Sequence, residues 1–179
     1  MAFTFFFRDR HTLDQLINQM LPQTQGFDKL KIWDAGCAMG QEPYTLAILL
    51  SEALGKVGFK RVHIDASDID DTSNFQEIVE SGIYNKVDLT RLPENIFENY
   101  FVPTDNPSKY RIKDEIRNCL IYKKHDLLTL KPFDRNYNAI ICKNVLLHFQ
   151  PAERVDVINM YYDVLVPGGF LVTEQTQPM

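Results

Sequence analysis

Between Lys31 and Leu50 the chain reads KIWDAGCAMGQEPYTLAILL, and the groups best placed to do chemistry lie in the middle of that run. Gly36, Cys37, Ala38, Met39 and Gly40 form a small-residue turn after the apolar stretch Ile32-Trp33-Asp34-Ala35; from Pro43 onward Leu46, Ala47, Leu49 and Leu50 recur at helical spacing. A strand that turns through small residues into a helix lets backbone approach a ligand closely, and the unpaired N–H groups of the helix start can donate to it. A second apolar stretch ends in the acids Asp68 and Asp70, about 30 residues downstream, where a carboxylate can accept from both hydroxyls of a ribose in a doubly wound sheet. The pattern predicts a nucleotide-type cofactor site. It lacks the Gly-x-Gly-x-x-Gly spacing of dinucleotide oxidoreductases.

The elements that must position these groups follow from periodicity. A helix is predicted from about Thr12 to Leu21, with Leu13, Leu16, Ile17 and Met20 on one face. Strand one covers Lys31 to Ala35, the next helix about Pro43 to Leu54 with Gly55 and Gly58 at its exit, and strand two Val62 to Ser67. A helix from about Ser73 to Ser81 ends at Gly82. From Tyr84 to Asn118 the rhythm breaks into short apolar pieces separated by turn residues such as Leu92-Pro93, Pro103 and Asn106-Pro107, which reads as an insertion on the core. Strand three is then Cys119 to Tyr122 and strand four Ala139 to Cys142; a helix runs from Glu153 to Leu165, and strand five is Gly169 to Thr173 after Pro167-Gly168-Gly169. Strands alternating with helices imply an α/β fold with a mostly parallel sheet and right-handed crossovers, in one domain over residues 1–179.

Composition narrows the function classes. With 179 residues, 45% of them apolar, the chain can bury one sizeable core. The formal net charge of −5 and the absence of a basic stripe argue against a surface that grips nucleic acid. The apolar runs, Tyr44 to Leu50 among them, are far shorter than a bilayer span, and no basic leader precedes one, so a cytoplasmic protein without direct membrane insertion is expected. Cys37, Cys119 and Cys142 are odd in number and lack the close pairing of a metal or disulfide framework, so they are read as reduced and buried, with no metal site.

Seven segments in register carry a family resemblance over nearly the whole chain. They are Thr4-Phe5-Phe6-Phe7-Arg8, Trp33-x-Ala35-Gly36-Cys37-x-x-Gly40-x-Glu42-Pro43-Tyr44, Ala66-Ser67-Asp68-Ile69-Asp70, Gly82-Ile83-Tyr84, Tyr100-Phe101, Cys142-x-Asn144-Val145-Leu146-x-x-Phe149 and Leu165-x-Pro167-Gly168-Gly169. This succession resembles the CheR-type chemotaxis receptor methyltransferases. The resemblance implies a Rossmann-like class I fold, S-adenosylmethionine as cofactor with S-adenosylhomocysteine as product, and methyl transfer to protein glutamate carboxylates, with a receptor cytoplasmic region as partner in chemotactic signal transduction. It further implies a catalytic domain that begins without the family's N-terminal helical domain and is shortened after strand five. The sheet edge this leaves could be covered by a second copy.

Roles for single residues come from the same alignment. Gly36 and Gly40 would meet the methionine part of the cofactor, and Glu42 would pair with its ammonium or help close the turn, although a first-turn acid is also favoured by the helix dipole alone. Asp68 would hold the ribose, the alternative being a solvated turn acid. Asp126 stands where the family has asparagine beside the adenine and can accept from its amino group, with Leu127 as an apolar or backbone contact. Asn144 and Val145 would touch the cofactor, Asn144 having turn capping as its alternative. Thr4 matches a cofactor-side contact and Arg8 the guanidinium that forks onto the acceptor carboxylate or onto a nearby cofactor group, whereas Phe5 to Phe7 read as core packing. His148 replaces the family's substrate-orienting tyrosine: it either hydrogen-bonds a carboxylate or merely flanks a helix. Asp34, Met39 and Lys143 also depart from the family pattern. A small-molecule carboxyl methyltransferase and a non-catalytic cofactor- or partner-binding module remain alternatives.

Overall fold

The computed structural model describes residues 4–70 and 74–173. After an N-terminal segment, helix α1 (Arg10–Gln23) buries Leu13, Leu16, Ile17 and Met20, the face anticipated from spacing. Strand β1 (Leu30–Ala35) leads through the glycine turn to helix α2 (Gln41–Phe59), whose helical path breaks at Gly55 (φ 65°, ψ 172°) before a last turn. Strand β2 (Val62–Asp68) and helix α3 (Phe75–Ser81) follow, and Gly82, left-handed at φ 63°, ends α3 by donating its N–H to Ile78 O.

The insertion is a small sheet of its own. Strands β3 (Ile83–Asn85), β4 (Phe101–Pro103) and β5 (Lys109–Ile112) pair antiparallel in the order β3-β5-β4, with helix α4 (Glu94–Tyr100) preceding β4 and the short helix α5 (Asp114–Arg117) following β5. Phe6 fastens the N-terminal segment to this sheet: its ring meets Tyr84 and Phe101 edge-on, at 4.8 and 5.6 Å, and is 1% exposed. Burying a phenyl ring of this kind stabilises by about 2–3 kcal/mol.

The chain then returns to the main sheet through β6 (Leu120–Lys124), β7 (Tyr137–Cys142), helix α6 (Pro151–Val164) and β8 (Leu165–Thr173). Strand order is β6-β2-β1-β7-β8, and every pairing is parallel. α6 begins at Pro151, two residues before the predicted start, because Gln150 and Glu153 close a capping box there. The Pro167-Gly168-Gly169 turn does not precede β8 but sits inside it: Leu165 pairs with Tyr137, Phe170 with Ala139, and the extra residues form a bulge between them.

Ile32 and Ala139 belong to a core shared with α1, α2 and the insertion, and Trp33, Ala35 and Ile140 to a second one under α6. Trp33 is fully buried there, edge-on to Tyr161 at 5.3 Å, with its indole N–H donating to Ser67 Oγ at 2.9 Å. That bond satisfies the one polar atom of an otherwise apolar ring. Cys37, Cys119 and Cys142 are all buried. No helix among the described residues is long and apolar enough to cross a membrane.

Candidate cofactor site

The sheet reverses its winding between β1 and β7, and at the carboxyl ends of these strands lies a cavity of about 540 Å³. Ligands of open α/β sheets bind at such a crevice. Thr4, Phe5 and Arg8 wall it from the N-terminal segment; Gly36, Cys37, Ala38 and Glu42 from the turn and the start of α2; Ser67, Asp68 and Ile69 from the end of β2. The loops after β6 and β7 contribute His125, Asp126 and Leu127 on one side and Lys143, Asn144, Val145 and His148 on the other. Chain positions as distant as 4 and 148 therefore meet in one place.

The exception is Gly40, which does not reach the cavity wall. It is the left-handed residue that opens α2 (φ 85°), and a Cβ there would lie 2.9 Å from Val79 Cγ2 and 3.0 Å from the Tyr84 hydroxyl. Its smallness serves the contact of α2 with α3 and the insertion. Gly36 does border the cavity, but the atom it leaves room for is protein: a Cβ would stand 2.2 Å from Val145 Cγ2.

The backbone of the turn is already engaged. Gly36 and Cys37 N–H both donate to Ser67 O (2.7 and 2.9 Å), Ala38 N–H to Asp68 Oδ2 (2.8 Å) and Gly40 N–H to Cys37 O (2.9 Å). Of these four turn amides the end of β2 consumes three and the turn itself the fourth, so recognition within the turn passes to side chains. Asp68 acts on both fronts. Its carboxylate fixes the turn through Ala38, and two oxygens offer about four lone-pair sites, so capacity for hydroxyl donors remains. Asp70 is directed elsewhere; its carboxylate accepts from Phe75 N–H (3.4 Å) and Gln76 N–H (3.5 Å) at the start of α3.

Asp126 Oδ1 accepts from Leu128 N–H at 2.9 Å, capping a short turn that buries Leu127 and leaves the second carboxylate oxygen for other donors. His125, unnoticed in the sequence, packs its ring on Trp33 and Phe133; its Nε2 lies 2.7 Å from Lys131 O and its Nδ1 is buried without a partner. A carbonyl only accepts, so the neutral ring carries its proton on Nε2 and presents Nδ1 as an acceptor. Phe5 also corrects its assignment as core: it lines the cavity with the Arg91 guanidinium 4.6 Å from its ring centre. His148 is exposed in the turn Leu146–His148 at the cavity wall.

One charged cluster ties the floor together. Lys143, with its side chain 5% exposed, holds Glu42 at 2.6 Å and Asp9 at 3.2 Å. Burial lowers the lysine pKa, but Glu42 and Asp9 outweigh it and the net shift is upward, so the ammonium persists. Asp9 follows Arg8, whose guanidinium is 3.8 Å from it, and Phe7 N–H donates to Thr45 Oγ1 at 3.0 Å. Lys143 and Thr45 thereby dock the segment that carries Arg8. Asp34 sits near this cluster with neither oxygen hydrogen-bonded; burial first, then Glu42 and Asp68, push its pKa far up against the pull of Lys143. Burial, reinforced by Asp34 and Asp68, also pushes the Cys37 thiol well above its usual range, away from the nucleophilic thiolate form.

Residues 2–178 match the family described as the CheR methyltransferase SAM binding domain. The chain belongs to that family. A chemotaxis protein methyltransferase of Borreliella burgdorferi is 32% identical over 178 residues, covering 94% of this chain and 62% of its own length. Its counterpart in Listeria innocua is 30% identical, covering 93% and 61%. The chain thus spans about three fifths of the length of these relatives. Among solved structures, the glycopeptide N-methyltransferase MtfA complexed with sinefungin aligns with TM-score 0.52 at 11% identity, over 96% of this chain and 57% of its own. The N-methyltransferase NodS of Bradyrhizobium japonicum, in complex with S-adenosyl-L-homocysteine, aligns with TM-score 0.50 at 14% identity, over 93% and 63%. The fold of this CheR-family chain is that of the class I S-adenosylmethionine-dependent methyltransferases.

Proposed function

We propose that the chain is the catalytic domain of a protein-glutamate O-methyltransferase, working on a protein carboxylate of the kind found on chemotaxis receptors. The observation that carries this reading is the convergence of Arg8 and His148 with Asp68, Glu42 and Asn144 around one cavity at the switch point of the sheet. The donor set fits S-adenosylmethionine: Asp68 for the ribose hydroxyls, Glu42 for the ammonium, and Leu127, Val145 and Ile69 with the acceptors Asp126 and His125 for the adenine. Asn144, left-handed at φ 61°, and Thr4 would complete the contacts. When bound, the cofactor supplies a methyl activated on a sulfonium.

The chain's own residues then have a small task. A glutamate carboxylate, with a reference pKa of about 4.3, is ionised at neutral pH, so no general base is needed to form the nucleophile. Arg8 would fork onto that carboxylate and hold one oxygen towards the methyl, its own position set by the Lys143–Asp9 and Phe7–Thr45 contacts. Phe5, Leu147 and Phe149 would keep water from the line of attack. His148 donates from the rim, a lesser orienting group than Arg8.

Transfer of labelled methyl from S-adenosylmethionine to a receptor cytoplasmic fragment tests the reading. Base-labile label on the fragment, lost in Arg8→Ala at saturating substrate, is the expected result. Label appearing only on small carboxylic acids would move the substrate class, and turnover unaffected by Arg8→Ala would overturn the mechanism.

A further inference from the structure

Asp34 is the penultimate residue of β1, is 1% exposed, and has no hydrogen-bond partner for either carboxylate oxygen. An ionised carboxylate cannot be left so placed, because desolvation without a partner is among the costliest arrangements in a protein interior. The groups facing it come from four elements: Glu42 from the first turn of α2, Asp68 from the end of β2, Cys37 from the glycine turn, and Lys143 from the residue after β7. Lys143 is the cation among them, and its ammonium is already engaged by Glu42 at 2.6 Å and Asp9 at 3.2 Å. With three anionic carboxylates around one lysine, Asp34 keeps its proton in the ligand-free chain.

Binding a cofactor ammonium at Glu42 changes this balance. Two cations then compete for Glu42, while a carboxyl within electrostatic reach of Lys143 stands idle. We infer that Asp34 is the reserve partner of Lys143: as the cofactor ammonium takes Glu42, Lys143 turns to Asp34, and the carboxyl proton of Asp34 leaves to solvent. One positive charge enters the cluster and one leaves, so its net charge is unchanged. Asp34 does not line the cavity and is a positioning residue; it lets Glu42 serve the ligand while Lys143 keeps its hold on Asp9 and on the segment bearing Arg8. The inference rests on the reading that Glu42 receives the ammonium.

The test is calorimetric titration of the full chain with S-adenosylhomocysteine in buffers of differing ionisation enthalpy. At about pH 6.5 a free α-amino group is already protonated, so the ligand itself supplies no proton. Net proton release should accompany ligand binding by the wild type and be absent in Asp34→Asn. None should be released with 5′-methylthioadenosine, which lacks the ammonium. Heats independent of buffer in the wild type, or release that survives in Asp34→Asn and so originates in His125 or His148, would overturn the inference while leaving the cofactor site intact. No binding at all would overturn the cofactor reading beneath it. Should Asp34→Asn not fold, infrared difference spectra of the wild type decide: the protonated-carboxyl C=O band must disappear on adding S-adenosylhomocysteine, and its persistence would refute the exchange.

Discussion

The two ends of the five-stranded sheet are built from the same strands and treat charge in opposite ways. At the amino ends polar groups find partners at or near the surface. Lys31 pairs with Asp134 and donates to Arg135 O at 3.1 Å, its backbone N–H donates to Asn138 Oδ1 at 2.8 Å, and the Arg61 guanidinium donates to Thr24 O at 2.6 Å and Phe27 O at 3.2 Å. At the carboxyl ends Lys143, Glu42 and Asp9 form a cluster around a buried ammonium, and Asp34 is left unpaired. Backbone strain follows the same division. Of the seven described non-glycine residues with positive φ, five (Phe7, Asp9, Ala38, Asp70 and Asn144) lie in or beside the segments that wall the cavity. One end is spent on stability; the other stores an unpaired carboxyl and strain where a ligand can use them.

Breaking the carboxyl-end cluster should have the largest effect. Lys143→Met leaves Glu42 and Asp9 facing each other without their cation and should lower unfolding free energy by about 3–4 kcal/mol in urea denaturation. Restoring much of that loss with Glu42→Gln in the same chain would identify the unpaired charge as its cause. Gly36→Ala should cost about 3 kcal/mol, from a Cβ 2.2 Å from Val145 Cγ2 and a φ of 99°; adding Val145→Ala should recover the steric share only. Asp68→Ala should weaken S-adenosylhomocysteine binding by about 2–3 kcal/mol, read by calorimetry, through lost acceptors and a loosened turn.

A pH series sharpens the contrast further. Asp34 has a folded-state pKa raised above its reference of 3.8, so the folded state retains a proton that the unfolded state releases. Stability is therefore undiminished below that reference and falls as pH rises from it towards the folded value, by up to about 1.4 kcal/mol per pH unit. Ligand-free Asp34→Asn should lack this fall, which paired urea titrations from acid to neutral pH would reveal. The amino end should behave in the opposite sense and weakly. Lys31 first, then the Arg135 N–H, holds Asp134 below its usual value, so this pairing stabilises at neutral pH and is lost as pH falls through the depressed value. Asp134 is 66% exposed, and Lys31→Met should cost under about 1 kcal/mol.

Much of the fold could be read from the chain because it rests on short-range patterns. The apolar runs at Ile32, Ile64 and Ala139 had to be strands, and Leu13, Leu16, Ile17 and Met20 had to share a helix face. The insertion resisted because β3 finds its partner in β5, more than twenty positions later, and three-residue strands leave no period to read. Gly40 was misassigned for a related reason: its spacing from Gly36 suits a ligand turn, but the neighbours that require its smallness, Val79 and Tyr84, come from other elements. The identity of the cavity residues was largely legible through the motifs, whereas the occupancy of the turn amides was not, since Ser67 O and the Asp68 carboxylate reach them only across the β1–β2 pairing.

By itself the sequence determined the alternation of strands and helices, the small-residue turn with an acid at the next strand end, and membership in a methyltransferase family, all of which depend on residue type and local spacing. Only the tertiary structure decided which groups share charge. Positions 9, 34, 42 and 143 become one electrostatic unit because parallel strands bring their carboxyl ends together under the first turn of α2 and the N-terminal segment folds over them. Burial then determines protonation: a buried group's charge depends on its partners and its distance from water, and neither is written in the order of the residues.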